Sequence, residues 1–221
     1  MKKRWVFAIL LIVMLGVNVL LYSKLPDAIP SHWNINGQID SYQGKWFVFF
    51  PIGVYLFFAL LFPLLRHFDP RKDHYLRFQK VYDSFMIALF LFLFGMWLIT
   101  MIACFCPSMV DIRLLMLLAT SILFIVIGNL MPKMKSNFFM GIRTPWTLSN
   151  ETVWFLTHRM AGWLWFIGGF LLLPAIFLQS NASFLYLMVL VMILAIVPCA
   201  YSYVIFQKMT HSKMNEKGKK S

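Results

Sequence analysis

Charge is scarce in this sequence, and acidic charge scarcest of all. Only 13% of the 221 residues are charged, with 8 Asp and Glu against 20 Lys and Arg. A water-soluble domain is about a quarter charged and about half apolar, whereas 61% of this chain is hydrophobic. The surplus must face a solvent other than water. Six blocks, residues 5–22, 46–65, 85–106, 114–131, 161–178 and 184–206, contain no Asp, Glu, Lys, Arg or His. About 20 apolar residues rising 1.5 Å each cross a hydrocarbon core of roughly 30 Å. Polar–apolar alternation is missing too. Continuous runs such as residues 89–94 exclude the strands of a membrane barrel. An unpaired backbone group in hydrocarbon costs several kcal/mol, so each block must be a helix. The sequence predicts an all-α polytopic membrane protein with six transmembrane helices.

Other absences narrow the chemistry. The cysteines are Cys104, Cys106 and Cys199; a lone C-x-C lacks the second ligand pair of a metal site, and these read as thiols in apolar surroundings. Neither a metal nor another cofactor is expected. There is no H-E-x-x-H, no paired carboxylate and no evident nucleophile. Arg143, Glu151, His158 and Arg159 are the residues on which acid–base or phosphate chemistry would have to rest, and an enzyme is not expected. Coupled transporters usually carry ionisable groups at mid-membrane depth, and these spans have none. Their polar set, Asn18, Thr100, Thr120, Ser121, Asn129 and Ser202, suits hydrogen bonding between helices. No internal repeat is visible. Export of a small molecule or peptide is therefore the second functional reading. The first block has no small-x-small cleavage site after it, so it reads as an uncleaved span.

What is abundant is basic charge, and its placement has a pattern. The net charge is +12, and alternate segments between spans carry 17 and 3 of the Lys and Arg residues. The positive-inside rule puts the larger set, and with it both chain ends, in the cytoplasm. Topology and anionic-lipid contact account for the surplus, and no direct nucleic-acid partner is expected. Residues 66–84 mix five basic residues with Asp69, Asp73 and Asp83 and predict a solvated charged face, with a helical extension of the third span as the alternative. Residues 212–221 predict a disordered basic tail.

Two loops carry specific signals. In the outer loop, residues 23–45, the Asn36-Gly37 pair predicts a two-residue hairpin turn. Pairing about it sets Ile35 opposite Gln38, Trp33 opposite Asp40 and His32 opposite Ser41. Such a hairpin is marginal alone, so it should lean on the membrane interface or the outer helix ends, with Trp33 and Tyr42 as anchors. The inner loop, residues 132–160, places Pro145 after Thr144, which biases Thr144 toward extended backbone. Ser149 or Asn150 can cap a helix with Glu151 in its first turn. Trp154 and His158, four apart, then share a face. Phe138, Phe139, Trp146 and Trp154 are expected at headgroup depth, in a re-entrant or surface-lying structure.

The same two segments carry a family likeness. Leu25, Pro26, Ile29, Pro30, His32, Asn34, Gly37, Asp40 and Lys45 resemble the pattern of the DUF1648 module. Gly128, Asn129, Met131, Pro132, Lys133, residues 141–151, Trp154, Thr157, His158 and Arg159 resemble the signature of the SdpI immunity-protein family. The resemblance covers residues 10–60 and 120–205. It implies a bacterial membrane protein in four parts: a DUF1648-like module (1–65), a basic inner loop and third span (66–113), an SdpI-like core (114–206) and a basic cytoplasmic tail (207–221). It further implies immunity to a secreted, membrane-active peptide toxin, and signalling by holding a small transcriptional repressor at the membrane. Gly141, Arg143, Thr144, Pro145, Trp146, Glu151, Trp154, His158 and Arg159 form the candidate inner element, either a partner-reading site or a packing device. Pro30, His32, Asn34, Gly37 and Asp40 form the candidate outer loop, and His32 and Asp40 either contact the peptide or hold the hairpin by local hydrogen bonds.

Overall fold

The computed structural model describes residues 4–106 and 111–218; Lys2, Lys3, Lys219 and Lys220 of the expected basic segments lie outside them. The chain begins with α1 (Arg4–Leu21) and a hairpin of β1 (Ala28–Trp33) and β2 (Ile39–Gly44). Then come α2 (Phe50–Phe68), the short α3 (His74–Arg77), α4 (Gln79–Phe105) and α5 (Ile112–Leu130). The short α6 (Pro145–Ser149), α7 (Glu151–Leu172) and α8 (Ser180–Gly218) complete it. Six of these helices are long and apolar enough to cross a bilayer. The protein is an all-α, multi-pass membrane protein with one small antiparallel sheet between its first two spans.

Several polar groups inside the bundle find protein partners, as the absence of water favours, whereas the buried Ser121 and Thr157 hydroxyls have none. Asn18 of α1 is fully buried. Its amide nitrogen donates to the Val48 carbonyl at 2.9 Å, and its oxygen accepts from Trp97 Nε1 at 3.0 Å. One side chain thus ties α1 to the approach of α2 and to α4. Pro198 lies inside α8 and has no N–H to offer the Leu194 carbonyl one turn back. Trp165 of α7 supplies the missing donor, with Nε1 3.1 Å from that oxygen. Ser202 of α8 also bonds outside its helix, at the Thr144 hydroxyl, whereas Thr100 donates to the Met96 carbonyl of its own helix at 3.1 Å.

α5 and α7 make the closest helix crossing. A Cβ on Gly128 would collide with the Phe166 backbone nitrogen and come 2.8 Å from the Gly162 carbonyl oxygen; one on Gly169 would come 2.8 Å from the Ser121 carbonyl oxygen. Small residues let two backbones meet where lipid provides no hydrophobic drive.

Three expectations need correction. The hairpin register is shifted near its tip: His32 faces Ser41 as expected, but Trp33 faces Ile39 rather than Asp40. Asn34 is the cause. Its Oδ1 accepts from the backbone N–H groups of Asn36 and Gln38 at 2.9 and 3.1 Å, an Asx-type turn. Gly37 alone takes positive φ, +74°, giving a three-residue loop with a glycine bulge in place of the two-residue turn.

Residues 66–84 are not a solvated face. Tyr75 of α3, Phe78 between the helices and Tyr82 of α4 are all buried. The Arg66 guanidinium lies 5.5 and 5.4 Å from the Tyr75 and Tyr82 ring centroids, a cation–π arrangement, and Asp69 is buried. Finally, α8 continues to Gly218, so the tail is helical across its described part.

The α5–α7 crossing yields a direct test. Gly128→Ala should destabilise the protein by about 1–3 kcal/mol through overpacking. Gly53→Ala, where nothing lies within 4 Å of the added Cβ, should change stability by less than about 0.5 kcal/mol or improve it. Equilibrium unfolding in mixed micelles compares the two.

Candidate functional site

The segment from Lys133 to α7 folds into a compact polar knot at the end of the bundle away from the hairpin. Its organiser is Asn137, fully buried. Its Oδ1 accepts from the N–H groups of Phe139 and Met140 at 3.0 and 2.6 Å, and its amide donates to the Lys135 carbonyl at 2.9 Å. Asp69, from the turn after α2, reaches across to this knot. Its carboxylate accepts from Arg71 N–H at 2.7 Å, from Phe138 N–H at 2.9 Å and from the Tyr75 hydroxyl at 2.9 Å. That hydroxyl also lies 3.2 Å from Asn137 Oδ1. Burial, and then the bond to Asp69, push the Tyr75 phenol well above its ordinary range, so it stays protonated and keeps donating.

Arg71 and His74 strengthen the same junction. The Arg71 guanidinium bonds the Ser136 hydroxyl, donates to the Leu148 carbonyl at 2.7 Å and stacks over Phe138 at 5.1 Å. His74 Nδ1 lies 2.7 Å from the Ser136 carbonyl oxygen and must therefore carry the proton. Asp69, Arg71, Tyr75, Ser136 and Asn137 were not singled out in the sequence. The available signal was Asp69-Pro70, an Asp placed to start a turn, set among aromatics spaced for one helical stripe.

The expected inner residues divide into a buried group and an exposed one. Thr144 is extended, with φ −102° and ψ 161°, and caps α6 in a reciprocal box with Thr147. Thr144 N–H donates to Thr147 Oγ1 at 2.9 Å, and Thr147 N–H to Thr144 Oγ1 at 3.2 Å. The Thr144 hydroxyl lies 3.0 Å from Ser202 Oγ, which docks α6 on α8. Pro145 opens α6, and Trp146 packs on Tyr203 with ring centroids 5.0 Å apart.

Asn150 caps α7, accepting from Thr152 and Val153 at 2.8 and 3.2 Å. Trp154 and His158 stack at 4.0 Å. Trp154 is enclosed by protein, not set among headgroups, because its Nε1 donates inward to the Met134 carbonyl at 2.9 Å.

His158 is fully buried and both its ring nitrogens are engaged. Nδ1 lies 2.8 Å from the Trp154 carbonyl oxygen and must donate; Nε2 accepts from Ile142 N–H at 3.0 Å. These partners assign the neutral ring with its proton on Nδ1. Gly141 makes the fit possible. Its φ is +92°, and a Cβ there would collide with His158 Nε2. This histidine is a structural pin holding the Gly141 turn against α7. Arg143, Glu151 and Arg159 are exposed, and Arg143 donates to the Phe138 carbonyl at 2.8 Å.

The hairpin residues gather at the other end. Pro30 is buried, whereas His32 and Asp40 are exposed and pair at 2.6 Å. Trp33 packs against Ile99, Ala103 and Ile112, so the hairpin leans on α4 and α5, while Tyr42 stays exposed. Gly37 abuts Arg113, whose Cβ would lie 3.3 Å from an added methyl. Arg113 in turn donates to the Leu178 carbonyl at 3.0 Å. Between the hairpin tip and the first turns of α5 and α8 lies a mostly apolar cleft of about 790 Å³, with His32, Trp33, Arg113, Met116, Phe184 and Leu187 in its walls.

Asp69→Asn would set an amide donor among three donors. It should cost about 2–3 kcal/mol and abolish hydrogen-exchange protection of the Arg71 and Phe138 amides. The β1–β2 amides should keep theirs.

Comparison with known proteins places both ends of the chain. Residues 133–202 match the SdpI/YfhL protein family, and residues 9–56 match DUF1648, a domain of unknown function. The chain is 28% identical over 213 residues to Immunity protein SdpI of Bacillus subtilis (strain 168), covering 96% of this chain and 100% of that protein. No solved structure matches it. The inner knot, from Lys133 through α7 and into α8, lies within the first match, and the hairpin within the second. The chain resembles the SdpI/YfhL protein family over residues 133–202 and is a multi-pass cell-membrane protein.

Proposed function

We propose that this chain is a non-catalytic immunity protein that protects its cell from a membrane-active antimicrobial peptide. Likeness to an immunity protein over nearly the whole chain supports a membrane immunity function. The observation that carries the finer reading is the hairpin-end cleft. Its volume of about 790 Å³ and apolar walls suit the buried face of an amphipathic peptide, and the exposed His32–Asp40 pair and Arg113 offer polar contacts at its rim. Held there, a peptide's apolar face is unavailable for assembly in the bilayer.

In this reading the hairpin faces outward, both chain ends lie in the cytoplasm, and the division at 65, 113 and 206 separates capture from response. A small transcriptional repressor would meet the exposed Arg143 and Arg159. Buried Thr144, Trp154 and His158 would shape that surface without touching the partner. The inward nitrogens of His158 support a structural role over acid–base chemistry.

Two experiments test the proposal. A strain lacking the gene, challenged with the secreted peptides of its parent, should be killed at a lower dose than the complemented strain. Met116→Arg, which puts a charge into the cleft wall, should cost most of the protection at unchanged membrane abundance. Equal killing with and without the protein removes the immunity reading. For sidedness, single cysteines in a cysteine-free background report the map: one at Asn36 should react with a membrane-impermeant maleimide on intact cells, and one at Ser149 only after lysis.

A further inference from the structure

A second cavity, of about 290 Å³, opens at the end of the bundle opposite the hairpin, between α3, the turn after α5 and the start of α7. Its place is set by the helices around it. The turn after α5 meets α7 at Gly162 through Pro132, and the cavity reaches from that turn toward the start of α7 at Glu151, on the polar side of the point where α5 ends. Phe155, one turn on from Glu151, is 48% exposed and apolar, and Pro132 also lines the cavity. Arg77, Lys135, His74 and Glu151 line the remainder. A wall that sets an exposed aromatic ring beside cations suits the headgroup and glycerol region of an anionic lipid.

The charges are available for such a ligand. The ion pairs among the described residues are His32–Asp40 and Lys45–Asp27, so Arg77, Lys135 and Glu151 take part in none. His74 is fixed by its Nδ1 bond to the Ser136 carbonyl at 2.7 Å, which anchors one wall of the cavity to the buried Asp69–Asn137 junction. Two permanent cations against one carboxylate favour an occupant with net negative charge. The carboxylate has its own use, because it accepts hydrogen bonds from hydroxyls and repels a second anionic group. Basic pockets between spanning helices are known to take lipid headgroups.

We propose that this cavity is a binding site for an anionic phospholipid of the phosphatidylglycerol class. The phosphate lies on Arg77 and Lys135, the headgroup hydroxyls are directed to Glu151, and the glycerol region packs against Phe155. The site is independent of the peptide reading and remains even where the cleft at the other end binds nothing.

Native mass spectrometry of the full-length protein in detergent, offered an equimolar mixture of phosphatidylglycerol, phosphatidylethanolamine and phosphatidylcholine, tests the proposal without any variant. Retention of one phosphatidylglycerol in preference to the other two is expected. Millimolar inorganic phosphate should not displace it. Arg77→Ala and Lys135→Ala should each reduce retention about fivefold, the worth of one basic group at an anionic surface. Both side chains are exposed, so the variants should melt with the wild type in detergent. Equal retention of the three lipids, preference for phosphatidylethanolamine, displacement by phosphate, or unchanged retention in folded variants each overturns the assignment.

Discussion

Inside hydrocarbon there is no water to complete a hydrogen bond, and this one constraint organises the whole structure. A polar atom that enters the bundle gains most when the chain itself supplies its partner, and Ser121 Oγ, Thr157 Oγ1, Tyr82 OH and Trp33 Nε1 are the buried side-chain atoms, among the described residues, that have none. Asn18 satisfies Trp97 and Val48 at once. The carbonyl that Pro198 leaves open is closed by an indole from the next helix. These bonds are few because few are needed, but each joins different elements and so fixes helix positions that apolar packing alone would leave free to slide.

The same rule, applied at the end of the bundle, produces the inner knot. A chain that turns between two spans must bury irregular backbone, whose N–H and C=O groups lack helical partners. Asn137 and Asp69 collect the N–H groups, while Arg71 and Trp154 take up carbonyls. The partners come from opposite halves of the sequence. Asp69, Arg71 and Tyr75 follow α2, whereas Ser136, Asn137 and Leu148 lie between α5 and α7, so the knot also joins the two halves. Met134 and Met140 extend the junction into the apolar cluster built largely by α1, α2 and α4.

Much of this was legible in the sequence, for reasons that differ by element. The spans were readable because hydrophobic length is a nearly sufficient condition in lipid. Thr144 before Pro145, the Asn150 cap and the Trp154–His158 pair were readable because each depends on neighbours within four residues. The hairpin register was not, because Asn34 competes for the turn and its side chain wins over the intrinsic preference of Asn36-Gly37. Residues 66–84 misled because a charge tally treats exposed Lys72, Asp73 and Lys80 alike with Asp69. One of the partners of Asp69, the Phe138 N–H, lies 69 positions away, beyond any local pattern. Trp154 looked like an interfacial anchor because its inward acceptor, the Met134 carbonyl, belongs to a turn whose path only the fold defines.

The glycine contacts between α5 and α7 also govern how the molecule can move. With Gly128 against the Phe166 backbone and Gly169 against Ser121, neither helix can ratchet along the other without driving bulkier side chains into main chain. The two therefore travel as one plate, carrying the Gly141 turn and the start of α7 with them. Shear between the halves has to be taken up where side chains, not backbones, form the joint. The Asp69–Tyr75–Asn137 cluster is one such side-chain joint.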